Sequence, residues 1–193
     1  MFVVGITGSI GCGKTTIAKI ISDLGYNVFD ADVQTRKIYN NVGFIEQIKL
    51  KFPEVIIDDT INRKKLRKIV FNNEIKRKEL EKLIHPLLKI KLKQIIRKNV
   101  KYCDFLFIDA ALLYETGWNI YCDFVIVADV DYETQKRRVM KRDNISACEF
   151  DKINKSQINN KNKIKMSDFV VNTDKSFNML KIELIKIIKI MKD

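Results

Sequence analysis

Histidine occurs once in the 193 residues, proline twice and glycine seven times. With His85 alone, and no C-x-x-C pair among Cys12, Cys103, Cys122 and Cys148, the chain lacks the ligands of a zinc site and the spacing of a disulfide framework. A reducing, cytoplasmic setting is expected. No apolar run approaches the roughly 20 residues that span a bilayer, so no membrane partner is expected. The opening Met1-Phe2-Val3-Val4-Gly5-Ile6-Thr7 has neither a basic leader nor a small-residue cleavage site, and reads as a core strand rather than a secretory signal. Internal repeats and Gly/Ser/Pro-rich linkers are missing too, which argues for a single domain carrying helical insertions.

Arginine is scarce where lysine is not. The chain holds 28 lysines against 8 arginines, with 29 isoleucines and 15 asparagines, and a formal charge of +12. These excesses run the whole length, as an A/T-rich coding sequence would produce them, and aromatic residues do not interleave with the basic ones as on a base-stacking platform. The charge is therefore read first as compositional, and otherwise as attraction for polyanionic small molecules rather than for a nucleic acid.

The apolar pattern alternates strands with helices. Phe2 to Thr7 is a short run suited to a strand buried on both faces. From Lys14 to Leu24 the spacing of Ile17, Ala18, Ile20, Ile21 and Leu24 is helical, with Gly25 at the C-terminal cap, and Asn27-Val28-Phe29-Asp30 begins a second strand. A strand, loop, helix and strand within about 30 residues is a βαβ unit, so the fold class is α/β with a parallel sheet. Residues 33–100 read as almost wholly helical, including amphipathic stretches at 63–72 and 74–98, the second with a break or kink at Pro86. Strands follow at 104–109 and 123–128, then a charged helix at 132–142, a polar helical stretch at 146–165, a short strand at 169–172 and an amphipathic helix at 180–191.

Gly8-Ser9-Ile10-Gly11-Cys12-Gly13-Lys14-Thr15 matches G-x-x-x-x-G-K-[ST], and it follows a strand and opens a helix. Glycines admit torsions that turn successive amides toward phosphate oxygens, and the helix N-terminus favours an anion. Lys14 is placed to reach the β- and γ-phosphates of ATP, and the Thr15 hydroxyl to ligate Mg²⁺. Cys12 at the helix start would have a depressed pKa, or is simply a small loop residue. A GTPase is excluded, because Asn154-Lys155-Ser156-Gln157 lacks the aspartate of N-K-x-D and no D-x-x-G switch exists.

Asp30-Ala31-Asp32 ends the second strand, at the sheet edge where α/β ligands bind. On extended backbone the two carboxylates share a side, and one can accept a proton from an attacking hydroxyl; the plainer reading makes Asp32 a helix cap. Asp109, at another strand end, is either a Walker-B-like Mg²⁺ ligand or a generic strand-end acid. Arg138 and Arg142 stand four apart on one helix and can close over the phosphates together, or form a solvated face. His85, between apolar neighbours, is either structural or a substrate contact.

These residues together resemble the dephospho-coenzyme A kinase family over nearly the whole chain. Gly5 to Thr16 is similar to its G-L-T-G-G-I-G-S-G-K-S-T, Asp30-Ala31-Asp32 to its D-A-D, Asn62-Arg63 with Ile69-Val70-Phe71 to its D-R…I-V-F, and His85-Pro86 to its H-P. Asp109-Ala110-Ala111-Leu112-Leu113-Tyr114-Glu115 resembles D-V-P-L-L-F-E, and Thr134-Gln135…Arg138…Arg142-Asp143 its lid helix. The resemblance implies a three-layer P-loop NTPase fold. Its core would be about 1–32, 100–131 and 166–193, with a helical acceptor-binding insertion at about 33–99 and a lid at about 132–165. It implies ATP-dependent phosphorylation of the ribose 3′-hydroxyl of dephospho-CoA, the last step of coenzyme A synthesis, by a monomer or weak homo-oligomer. Gly8, Gly11, Cys12, Gly13, Lys14, Thr15, Thr16 and Arg142 would bind ATP; Asp32 would be the base, Arg138 would close over the phosphoryl group, and Asp32, Arg63 and His85 would receive the acceptor. Three departures stand out. Ala111 replaces a proline, which would only loosen a turn, and Asn62 replaces an aspartate. A lid Q-x-P-x-x-x-K-R becomes 157–164, with its arginine lost and Lys163 left as a substitute point charge. The alternative reading is another small-molecule P-loop kinase, of nucleosides or nucleotides.

Overall fold

Alternating burial along Phe2–Thr7 does not occur: five of its six residues are buried, as a strand covered on both faces requires. The computed structural model describes residues 1–193. In chain order its elements are β1 (Phe2–Thr7), α1 (Lys14–Asp23), β2 (Asn27–Asp30), α2 (Ala31–Ile38), α3 (Val42–Lys51), β3 (Ile56–Ile57), β4 (Thr60–Ile61), α4 (Arg63–Asn72) and α5 (Glu74–Asn99). After these come β5 (Phe105–Asp109), β6 (Phe124–Asp129), α6 (Tyr132–Asp143), α7 (Ala147–Lys155), α8 (Asn160–Lys165), β7 (Phe169–Asn172) and α9 (Phe177–Ile190). They divide into two compact units, Met1–Phe29 with Lys98–Asp193, and Asp30–Arg97.

In the first unit the strand order is β2-β5-β1-β6-β7. β1 runs parallel to both β5 and β6, and β7 parallel to β6. Register decides what the sheet presents at its carboxyl edge: Ile6 pairs with Asp109, so the Asp109 carboxylate emerges one residue short of the phosphate loop. On one face of the sheet lies a cluster in which Ile17, Ile20 and Ile21 of α1 and Leu180, Leu184 and Ile188 of α9 pack with Val4, Ile6, Phe105 and Phe107. Each such side chain contributes about 1.5–3 kcal/mol when fully buried. Tyr26 sets its ring edge-on to Phe105 and Phe107, at 5.9 and 5.6 Å between centroids. α1 stops as expected: Gly25 adopts φ 88°, and its amide and that of Tyr26 return to the carbonyls of Ser22 and Ile21.

The second unit is mostly helical, with one exception to the expected pattern. Ile56–Ile57 and Thr60–Ile61 pair as an antiparallel hairpin, which Asp58 and Asp59 close with positive φ. Two aspartates tolerate that region better than the β-branched residues around them, a turn signal the helical reading passed over. α5 runs unbroken from Glu74 to Asn99 through Pro86, so no break occurs there. Its buried residues Leu80, Ile84, Leu88 and Leu92 recur every four positions and supply the stripe that holds it. In the first unit, the polar stretch 146–165 is two helices rather than one, the first opened by a Ser146–Glu149 capping box and the second by Asn159.

Candidate active site

The phosphate loop is built as its sequence demands. Gly11 and Gly13 take φ of 80° and 85°, and a Cβ at Gly11 would stand 2.9 Å from the Gln135 carbonyl oxygen. A side chain at Gly13 would strike Thr173, so both glycines answer to torsion and space together. No side chain caps α1 at Gly13. The amides of Lys14 and Thr15, in the first helical turn, have no intrahelical acceptor, which leaves them with the dipole to receive an anion. Thr15 is exposed there, and Thr16 half-buried behind it.

Lys14 Nζ donates to Asp109 Oδ1. The pair is nearly enclosed, with the two side chains 13% and 3% exposed. Strand register has therefore joined two of the expected site residues, 95 positions apart, in one ion pair. Thr7 Oγ1 donates to the Ala111 carbonyl at 3.2 Å, so the turn where alanine stands for proline is tied to β1.

Thr173, just beyond β7, was not anticipated. Its hydroxyl donates to the Cys12 carbonyl at 2.7 Å and accepts from Arg138 Nη1 at 3.1 Å. Arg138 Nη2 also reaches the Thr173 carbonyl at 3.2 Å and Asp174 Oδ1 at 3.1 Å. This arginine is thus held one residue away from the loop. Arg142 is not: it forks onto its neighbour Asp143 at 2.9 and 2.8 Å, on the exposed last turn of α6. The two arginines, four apart on one helix, thus bond Thr173 and Asp174 in one case and Asp143 in the other.

Of the two readings of Cys12, the small loop residue holds and the depressed pKa does not. It is 1% exposed, and burial, reinforced by Asp129, pushes its thiol up to about 12. Lys163, Arg138 and the Ser9 backbone act in the opposite direction and are outweighed. Desolvation overrides the helix terminus, leaving a small, inert thiol. Lys163, the expected substitute point charge of the lid segment, is already committed within the protein. Its side chain is fully enclosed, bonded to the Ala111 carbonyl at 2.6 Å and to Glu115 at 2.9 Å. Burial lowers its pKa against the opposing pull of Glu115.

The second unit carries the other expected residues. Only Asp30 of the acidic pair is in the strand; α2 begins at Ala31, so the two carboxylates do not share an extended backbone. Asp30 is the cap, accepting from the Val33 amide at 2.8 Å, and Asp32 lies exposed in the first turn with no hydrogen bond or ion pair of its own. The capping role considered for Asp32 thus belongs to its neighbour. Arg63 donates to Asn40 Oδ1 at 2.8 Å and the Arg36 carbonyl at 3.2 Å, and lies 5.3 Å from the centre of the Tyr39 ring. His85 is half-buried on α5; desolvation lowers its pKa and Glu81, four residues earlier, opposes the shift.

A parallel sheet with an uncapped glycine loop, a loop lysine paired to a strand-end aspartate and a following arginine helix defines a P-loop kinase. Residues 2–178 match the model of the family described as dephospho-CoA kinase. The chain is 35% identical to a dephospho-CoA kinase of Fusobacterium nucleatum over 93% of both chains. It is also 35% identical to one of Bartonella henselae, over 98% of this chain and 97% of that one. The solved dephospho-CoA kinase of Campylobacter jejuni superposes with a TM-score of 0.69 at 29% identity, covering 97% of this chain and 95% of its own. The chain belongs to the dephospho-CoA kinase family. It is accordingly a kinase, and its reaction is the ATP-dependent phosphorylation of dephospho-CoA in coenzyme A biosynthesis.

Proposed function

We propose that Lys14 and the phosphate loop hold ATP while the γ-phosphoryl group passes to the ribose 3′-hydroxyl of dephospho-CoA. The new bond joins that oxygen to γ-phosphorus, the bond to the ADP oxygen breaks, and the hydroxyl proton goes to Asp32. The observation that carries this reading is the enclosed Lys14–Asp109 pair at the head of an uncapped helix. An ammonium there neutralises phosphate charge without reorganising when the reaction proceeds. Gly8, Gly11, Cys12, Gly13, Thr15 and Thr16 complete the cradle, and Arg138 lies within reach through Thr173. The role of Asp32 is supported by the cap at Asp30, which leaves the Asp32 carboxylate uncommitted. Arg142 is assigned to ATP, and Arg63 and His85 to the acceptor, on the family motifs.

Mg²⁺ is the metal this family's chemistry implies. The Thr15 hydroxyl and the Asp109 carboxylate are hard oxygen donors, and no group of three metal-ligating side chains exists elsewhere. This suits Mg²⁺, which takes few protein ligands beside phosphate oxygens and water. Held by those residues, it would supply charge neutralisation to the phosphate groups.

No helix is long and apolar enough to cross a membrane. All four cysteines are free thiols, which supports a cytoplasmic location. The deciding experiment is ATP-dependent conversion of dephospho-CoA by the purified chain, followed by the mass of the product. Phosphate uptake by adenosine or nucleoside monophosphates, with none by dephospho-CoA, would overturn the acceptor assignment.

A further inference from the structure

The outward side of the phosphate loop is held by side-chain amides from far along the chain. Ser9 is 3% exposed, and its N–H donates to Asn160 Oδ1 at 2.9 Å. The next amide, that of Ile10, donates to Gln157 Oε1 at 2.9 Å, while the Ile10 carbonyl accepts from Gln135 Nε2 at 2.6 Å. Buried backbone amides need partners, and the loop's own turn does not supply them here: its internal bond runs from the Cys12 amide to the Ser9 carbonyl.

The orientation of the Asn160 amide is fixed by what lies on its other side. Its Nδ2 donates to Asp129 Oδ1 at 2.7 Å and to the Ala128 carbonyl at 3.2 Å, at the end of β6. A flipped amide would set oxygen against oxygen there and N–H against N–H at Ser9. The segment is anchored in turn by Glu115. One oxygen of that carboxylate accepts from the Ile158 amide at 2.8 Å and from Lys163 Nζ at 2.9 Å. The network therefore runs from the turn after β5, through Lys163 and Glu115, to the segment between α7 and α8, and ends on the phosphate loop.

We propose that Gln157 and Asn160 are positioning residues for nucleotide binding. By committing the Ser9 and Ile10 amides outward, they fix the loop torsions that leave the amides at the start of α1 for phosphate. On this reading the segment 157–163, expected as part of a lid, serves the loop from its outer side. The inference rests on the loop's binding ATP but not on the identity of the acceptor.

The test uses the full chain and the variants Gln157→Ala, Gln157→Glu and Asn160→Ala, with ATP affinity measured by calorimetry, KM for each substrate, and melting temperature. Each alanine variant is expected to weaken ATP binding and raise KM for ATP about tenfold, the usual scale for an amide left without its acceptor. KM for dephospho-CoA is expected to hold within about twofold, because the lost bonds touch only the nucleotide loop. Gln157→Glu keeps an oxygen for the Ile10 N–H and is expected to recover ATP affinity to within about threefold of the parent. Two results would overturn the proposal. Lowered melting temperature with unchanged ATP affinity would make the contacts merely structural. Gln157→Glu binding ATP more weakly than Gln157→Ala would mean that residue 157 faces the phosphates directly. Should Asn160→Ala fail to fold, the Gln157 pair decides alone; should dephospho-CoA prove not to be the acceptor, calorimetry with ATP still reads the outcome.

Discussion

The phosphate loop and the helical unit Asp30–Arg97 hold their functional residues by different physics. Around the loop, the side-chain anchors are long-range and at least partly buried: Lys14 with Asp109, Thr173 with Cys12, Asn160 with Ser9 and Gln157 with Ile10. In the helical unit the corresponding contacts are shorter in sequence and more exposed. Asp30 caps three residues ahead, Glu81 acts on His85 four residues on, and Arg63 rests on the end of α2. A preorganised loop holds charge without rearranging, whereas exposed side chains on helices keep their freedom until a ligand orders them. The difference teaches that substitutions in the first region should change stability and activity together, and those in the second should separate them.

The largest effect is expected at Lys14. Lys14→Met should lower kcat about 10³-fold, on the scale of losing a preorganised phosphate-facing charge. It also strips the cation from Asp109, 3% exposed, at a cost of about 3 kcal/mol, read by urea unfolding. Adding Asp109→Leu should restore much of that stability and none of the turnover. Asp32→Ala sharpens the contrast: kcat should fall about 10²-fold or more. Melting temperature should hold within about 2 °C, since the residue is exposed and unpaired. A loss of stability comparable to that of Lys14→Met would erase the distinction between the regions. Arg63→Lys comes next, with KM for dephospho-CoA raised about fivefold through loss of the planar fork. The Tyr39 contact is exposed enough that stability should change by less than about 1 kcal/mol.

The smallest effect concerns pH. Burial holds the His85 pKa below its ordinary value, so between the two values the unfolded chain binds more protons at this site than the folded one. Stability from neutral His85 is therefore complete above about pH 6.5 and declines as pH falls below it, until the folded histidine is itself protonated. Urea midpoints between about pH 7.5 and 5.5 should fall in the parent chain and fall less in His85→Gln. Equal slopes would remove His85 as the cause.

Where local chemistry carried the signal, the fold was legible beforehand. The strands at 105–109 and 169–172, α1 with its Gly25 stop, and the amphipathic α4 all follow from periodicity and caps. The hairpin at Ile56–Ile61 was not, because its strands are two residues each, too short to show a period. The break allowed for at Pro86 does not occur: proline removes one backbone bond, and the buried apolar stripe on both sides of it outweighs that loss. In the site, the glycine loop opening α1 and the place of Asp109 at a strand end were readable. Thr173 and Asn160 were not, since an isolated threonine or amide in a polar segment looks like any solvated residue. Fifteen asparagines spread along the chain hide the one that bonds Ser9.

By itself the amino-acid sequence determined that a phosphate-binding loop follows the first strand, that the sheet is parallel and that a helical segment interrupts it. Glycine torsions, periodicity and capping residues act within a few positions, and those distances can be read in one dimension. Tertiary structure decided that Asp109 meets Lys14, that Lys163 is enclosed, and that Cys12 is held protonated. Each of these depends on strand register or on burial by segments far away in the sequence, and no local preference encodes such distances.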